Sequence, residues 1–242
     1  MVAMLSPADE RQQMSLRAVE TGRGRRVWGA GGLFCVVFFA GGILAAGEFP
    51  RADVPMDGLT DYLSAHRAGL RALSACHVVA ALMLLLFAAR VLDAVAGQGE
   101  GGWGGIVGLG FGGAVLAVGS LGASALLFWT LASPDLTGEP GVLRAVHLLS
   151  FLTGGVGLLA GLGFFAGCAG LVGLQTHGLP SWLAAMGIAV AAVDLASPFT
   201  LLAHFGPLGP DGLVPVAGAV LSLLWIALTS TALILRPRSG GG

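Results

Sequence analysis

Apolar residues along the chain are grouped into six long stretches separated by short polar connections. The stretches are Val27–Gly47, Leu70–Val95, Gly105–Ser133, Arg144–Gly173, Trp182–His204 and Val214–Leu235. A helix needs about 20 predominantly apolar residues to cross the hydrocarbon layer of a bilayer, and each stretch reaches that length. The pattern predicts an all-α fold, a polytopic transmembrane bundle of six helices, with the lipid bilayer as its surroundings.

The domain organisation follows from the short connections, none of which is long enough to fold separately. We expect one six-helix transmembrane domain at residues 27–236, an Arg-rich tail at 1–26 and a short tail at 237–242. Charged residues make up only 10% of the chain, against about 25% in a soluble domain. A net charge of −1 gives no basic surface for nucleic acid, which is not expected as a partner.

Arginines at the two ends of the chain predict its orientation. They precede the first stretch at Arg11, Arg17, Arg23, Arg25 and Arg26, and follow the last at Arg236 and Arg238. Because cytoplasmic segments carry an excess of basic residues, both termini are predicted to be cytoplasmic, which an even number of spans allows. Residues 48–69, 134–143 and 205–213 then face the outside.

The first stretch has an alternative interpretation as a cleaved signal peptide, with Leu44-Ala45-Ala46-Gly47 as the small-residue exit. Signal peptides have an apolar core of about 7–15 residues. The core here is longer and follows a leader of 26 residues. We therefore expect the first span to remain attached.

The outer segment that follows is expected to contain a short amphipathic helix. Leu59, Leu63 and Leu70 are spaced one or two helical turns apart, and Asp57 precedes them as a candidate N-cap.

Small residues four apart predict close helix packing in the third and fourth spans. The pairs are Gly108/Gly112, Gly157/Gly161 and Gly163/Gly167. Such faces let helices approach closely in lipid, where association depends on packing. These two spans are therefore predicted to form the centre of the bundle.

Asp194 is the sharpest functional pointer, because an ionisable group inside a span costs several kcal/mol, about 2.5–3.5 on insertion scales. Pro198 lacks the amide that would bond the Asp194 carbonyl in a continuous helix, and Ser197 lies one turn away. These three residues could form a cation or proton site. Alternatively, Pro198 ends the span and leaves Asp194 at the outer interface.

Histidines and arginines enter the membrane from the same outer side as Asp194. His77 and His147 lie in the second and fourth spans, below Arg71 and Arg144. Two imidazoles and a carboxylate could bind a metal ion, but nothing in the spacing makes them face each other, and no metal is predicted. The favoured hypothesis is a structural salt bridge from Asp194 to one of the arginines, because an unpaired buried carboxylate is costly.

Two functional classes remain. The first is a non-catalytic membrane component whose helix faces bind other membrane proteins or a second copy of the chain. The alternative is a small transporter, channel or proton-coupled protein that uses Asp194.

An enzyme is not predicted, since the chain has neither His-Glu-x-x-His nor Gly-x-Ser-x-Gly. No cofactor is predicted either: a haem pair would need histidines on both sides, and only His177, in a loop, lies on the inner side.

One segment resembles a known group of proteins. Gly178-Leu179-Pro180-Ser181-Trp182-Leu183-Ala184-Ala185-Met186-Gly187 is similar to a run common in six-helix bacterial membrane proteins, especially actinobacterial ones, with a domain of unknown function. The order Tyr62, His66, Arg67 before a Leu-rich span that reaches Arg90 is similar to the same group. The resemblance implies a helical bundle in the bacterial cytoplasmic membrane and assigns no catalytic residue.

Overall fold

Helices dominate the computed structural model, which describes residues 29–96, 102–134, 139–202, 209 and 212–235. These residues contain no β-strand. Their α-helices are α1 Gly29–Ala46, α2 Met56–Ala65, α3 Arg67–Ala96, α4 Gly104–Leu131, α5 Pro140–Phe151, α6 Leu158–Thr176, α7 Ser181–Asp194 and α8 Leu213–Leu235. A π-helical segment, Leu152–Gly157, joins α5 to α6, and a 3-10 helix, Ser197–Leu202, follows α7.

Six helical stretches of the described chain are long and apolar enough to cross a membrane. They are α1, α3, α4, the continuous run Pro140–Thr176, the broken run Ser181–Leu202 and α8. Each lies within four residues of its predicted bounds. The all-α fold with six spans is confirmed, and it defines the chain as a multi-pass membrane protein.

The fourth span lies at the centre of the bundle. In the most apolar part of this span 61% of the residues are buried, against 28% in the third span, α4. The predicted central position is therefore confirmed for the fourth span and is wrong for the third. A Cβ added at Gly161 would lie 2.7 Å from the Gly113 carbonyl oxygen of α4. Another at Gly167 would lie 2.9 Å from the Ala191 Cβ of α7. The predicted packing through Gly157/Gly161 and Gly163/Gly167 is confirmed, because glycine alone permits these approaches.

The prediction for Gly108/Gly112 is wrong. A Cβ at either position would meet nothing within 4 Å, whereas Gly110 and Gly113, on another face of α4, contact α6. Glycine is frequent all around α4, so the four-residue spacing did not identify the buried face. The Gly108/Gly112 face points away from the bundle.

The short amphipathic helix is confirmed as α2, with Leu59 and Leu63 buried beneath it. Asp57 is not its N-cap, because Pro55 holds that position and no side chain caps the helix. Asp57 lies instead in the first turn, where a carboxylate interacts favourably with the positive end of the helix dipole.

Helix α1 packs into the bundle along its described length. Ser230 of α8 donates to the Gly29 carbonyl and accepts from the Leu33 amide at 3.2 Å. Cys35 is part of the main core, and Phe39 stacks on His77 of α3 with ring centroids 4.8 Å apart. The retention of the first span stays a prediction, and these contacts support it.

Candidate functional site

The α-helical part of the fifth span ends at Asp194. Pro198, four residues later, has no amide hydrogen for the Asp194 carbonyl, so the α-helical hydrogen bond at this point cannot form and the helix is weakened here. The chain turns and resumes as the 3-10 helix from Ser197. The break therefore places a carboxyl group at a helix end inside the bundle.

Asp194 is fully buried, with 0% of its surface exposed. Ser222 of α8 donates its hydroxyl to Asp194 Oδ2 at 2.6 Å. The other carboxyl oxygen, Oδ1, has no hydrogen-bond partner among the described residues, and neither does the buried Ser197 Oγ. Ser222 is in the tenth position of the 23-residue helix α8, near its middle. This geometry favours the interior over the interface as the location of Asp194.

Two glycines make room for the Asp194 carboxyl. A Cβ at Gly218 of α8 would lie 2.6 Å from Asp194 Oδ1. A Cβ at Gly163 of α6 would lie 3.0 Å from the Asp194 Cβ. Gly218 and Ser222 are one turn apart on the same face of α8, so that face supplies both the space and the hydroxyl donor.

The surroundings of Asp194 favour its neutral form. An ionised carboxylate without a cationic partner in a low-dielectric interior costs several kcal/mol, even after the protein relaxes. A protonated carboxyl that leaves one polar group unpaired costs about 1–3 kcal/mol. One neutral hydroxyl donor does not replace a positive charge, so the protonated form of Asp194 is the less costly one.

The predicted salt bridge between Asp194 and Arg71 or Arg144 is wrong. Among the described residues the ion pair within 4 Å joins Arg90 and Asp93, at 2.6 Å. Arg71 is exposed, and Arg144 is used elsewhere. Entry from the same side of the membrane is therefore not enough to bring these arginines to Asp194.

Arg144 holds the connection between α1 and α2 against α5. Its guanidinium donates to the Ala52 carbonyl at 3.0 Å and to the Val54 carbonyl. His147, one turn further along, lies 3.2 Å from the Arg51 carbonyl through Nε2. Both side chains therefore fix the segment between α1 and α2, which is a structural role.

Tyr62 of α2 ties the same connection to the end of α1. Its hydroxyl donates to the Ala46 carbonyl at 2.7 Å. Partial burial raises the pKa of Tyr62 to about 12, so the phenol remains a hydrogen-bond donor at neutral pH.

The two buried histidines are separated by aromatic rings. Phe128 lies 6.0 Å from the His77 ring and 5.1 Å from Phe49, measured between centroids. Phe49 in turn lies 5.5 Å from the His147 ring. The described residues contain no group of three or more His, Cys, Asp or Glu side chains that could hold a metal ion. His77 and His147 therefore do not come together with Asp194 in one polar site.

A small cavity of about 20 Å³ lies between α1, α3, α4, α6 and α8. Ser222 lines it, and Cys35 is the other residue with a polar side-chain atom on its wall. A buried water needs roughly 10–15 Å³ and two to four polar partners. The volume is sufficient for one water molecule, but the wall is too apolar to bind it well.

Ser222 and Gly218 are the site residues that the sequence analysis missed. They form a small-xxx-small pair with the same four-residue spacing as the glycine pairs of the third and fourth spans. Hydroxyl residues recur on the buried side of α8, at Ser222, Thr229 and Ser230. That recurrence in an otherwise apolar span was the available signal.

Comparison of the chain with protein-family models, curated proteins and solved structures finds no match. The fold and the site together define a class of protein: a six-span helical membrane protein with one buried carboxyl group among its described residues.

Proposed function

We propose that this protein is a non-catalytic component of the bacterial cytoplasmic membrane. It associates with a second copy of itself through the face of α4 that points away from the bundle. The observation that carries the proposal is a stripe of four glycines on this face. A Cβ at any of them would meet nothing within 4 Å: Gly105, Gly108, Gly112 and Gly119.

A stripe of glycine is costly on a face that contacts only lipid. Glycine gives lipid chains little to pack against, and in a helix interior it is less favourable than alanine by about 0.5–1 kcal/mol. Small residues are enriched where membrane helices contact each other. The spacing of Gly108 and Gly112 allows two identical helices to cross closely, so a second α4 is a self-complementary partner.

Cross-linking tests the proposal. With Cys35, Cys76 and Cys168 replaced by alanine, Gly112→Cys should form a disulfide-linked dimer in oxidised membranes. Val220→Cys is the matched control, because it is a 60% exposed position in α8 at a similar distance from the end of its helix. Equal cross-linking at both positions, or a monomer mass for the wild-type chain in nanodiscs, would contradict self-association.

The orientation of the protein is part of the same proposal, with both termini in the cytoplasm. The terminal arginines and the six spans support it. Reporter fusions after Ala52, Gln98, Gly138 and Thr176 should give signals from the outside, inside, outside and inside respectively. The same signal from the Gln98 and Gly138 fusions would exclude this topology.

A further inference from the structure

Among the described residues, Asp194 is the carboxylic acid that the fold removes from solvent. The other described aspartates and glutamates are exposed: Glu48, Asp53, Asp57, Asp61, Asp93 and Glu139. Burial of Asp194 is produced by the close approach of α6 and α8 at Gly163 and Gly218, and helix-packing function alone does not require a carboxyl group there.

We propose that Asp194 is a reversible proton-binding site in the interior of the bundle, protonated in the conformation described here. Ser222 is its positioning residue, since its hydroxyl holds Oδ2 at 2.6 Å and leaves Oδ1 as the oxygen that takes up and releases the proton. The step is a simple association: a proton adds to the carboxylate, and no other bond forms or breaks.

A proton fits this site better than a metal cation. A bound Na⁺ or Ca²⁺ requires several oxygen ligands around it. Asp194 Oδ1 faces the backbone of Gly218, and the leucine side chain of Leu159 is close to the same point. The neighbouring cavity of about 20 Å³ cannot hold an ion with its hydration shell. Protonation needs neither extra ligands nor extra space.

The neighbouring helices carry no charged group that would offset the charge of an ionised Asp194. In α6, which packs against α7, the ionisable side chain is Cys168, and it faces Gly110 of α4. Helix α8, the 3-10 helix and the π-helical segment carry no ionisable side chain. In α5, Arg144 and His147 point towards the connection between α1 and α2. Release of the proton would therefore leave an uncompensated charge at the contact between α7 and α8.

The fifth span is interrupted directly beside this contact. Helix α7 ends at Asp194, and the 3-10 helix begins three residues later, beside Pro198. Leu195 still bonds to Ala191 in the α-helical pattern, at 2.9 Å, but the next amide, that of Ala196, bonds to Val193, three residues back, at 3.1 Å. Because Asp194 is fully buried, exchange of its proton with water requires this contact to open transiently.

Infrared spectroscopy of the full chain in nanodiscs tests the proposal. At neutral pH the wild-type protein should show the C=O stretch of a protonated carboxylic acid, and Asp194→Asn should lose the whole band. The matched control Asp93→Asn, in which an exposed carboxylate is removed, should keep it. Alkaline pH should remove the band reversibly.

A second variant keeps the proposal testable if Asp194→Asn does not fold. Ser222→Ala retains the carboxyl group but removes its hydrogen bond, so the band should move to higher frequency. Absence of the band from the folded wild-type protein at neutral pH would overturn the proposal. So would its loss on addition of Na⁺ at constant pH, which would indicate a cation site, or an unchanged band in Asp194→Asn.

Discussion

Replacement of Gly161 by alanine should destabilise the protein by about 1–3 kcal/mol, the usual cost of overpacking a well-packed interior. The added Cβ would collide with the Ala117 backbone amide and would lie 2.7 Å from the Gly113 carbonyl oxygen. Both are backbone atoms of α4, so no side chain can rotate to relieve the collision. The central crossing of α4 and α6 must then widen.

Gly112→Ala is the matched control for this substitution. It changes the same residue type in the partner helix, at a position where a Cβ meets nothing within 4 Å. Its effect should lie between zero and a gain of about 1 kcal/mol, because alanine favours the helix. Unfolding of both variants in dilute detergent, where self-association is suppressed, measures the difference. Equal stability of Gly161→Ala and the wild type would show that the two helices do not cross this closely.

The contrast between these glycines also shows what the sequence can predict. Helix existence and length follow from the number of consecutive apolar residues, so all six spans are placed to within four residues. The choice of the packed face depends on tertiary contacts. In a helix that is apolar on all sides, small residues alone do not decide which face is buried, and so Gly157/Gly161 was predicted correctly and Gly108/Gly112 was not.

The candidate site was predicted in part. The cost of a carboxyl group in an apolar span identified Asp194, and Pro198 located the helix break, because both effects depend on local chemistry. The partner of Asp194 depends on how α7 and α8 pack. The buried hydroxyl residues of α8 mark a polar face, but no local feature indicates that Ser222 lies 2.6 Å from Asp194 while both candidate arginines lie elsewhere.

The hydrogen bonds of Arg144 explain why the predicted salt bridge to Asp194 is wrong. The hypothesis started from the cost of an unpaired buried carboxylate and paired Asp194 with the arginines that enter from the same side. Backbone carbonyls in a connection between helices are also good acceptors for a guanidinium, and Ala52 and Val54 present two of them together. The guanidinium bonds to these carbonyls while remaining half-buried near the start of α5, which avoids the cost of entering the apolar interior.

Arg144→Gln should therefore destabilise the protein by about 1.5–3 kcal/mol, the range for hydrogen bonds to a charged group. The substitution removes the fork that holds both carbonyls, and it should loosen the segment between α1 and α2. Arg71→Gln is the matched control, because Arg71 is exposed, and its effect should stay within about 0.5 kcal/mol. Thermal unfolding of the two variants in one detergent provides the comparison.

A double-mutant cycle with Asp194→Asn then separates the two interpretations of Arg144. If Arg144 acts only on the connection between α1 and α2, its effect and that of Asp194→Asn should add to within about 0.3–0.5 kcal/mol, as effects at distant sites do. A salt bridge predicts the opposite, because removal of one partner of a buried pair costs about 3–5 kcal/mol and removal of both costs less than the sum. Coupling above about 1 kcal/mol would indicate an ion pair and therefore an ionised Asp194. It would contradict the neutral carboxyl group that the contacts with Ser222 and Gly218 favour.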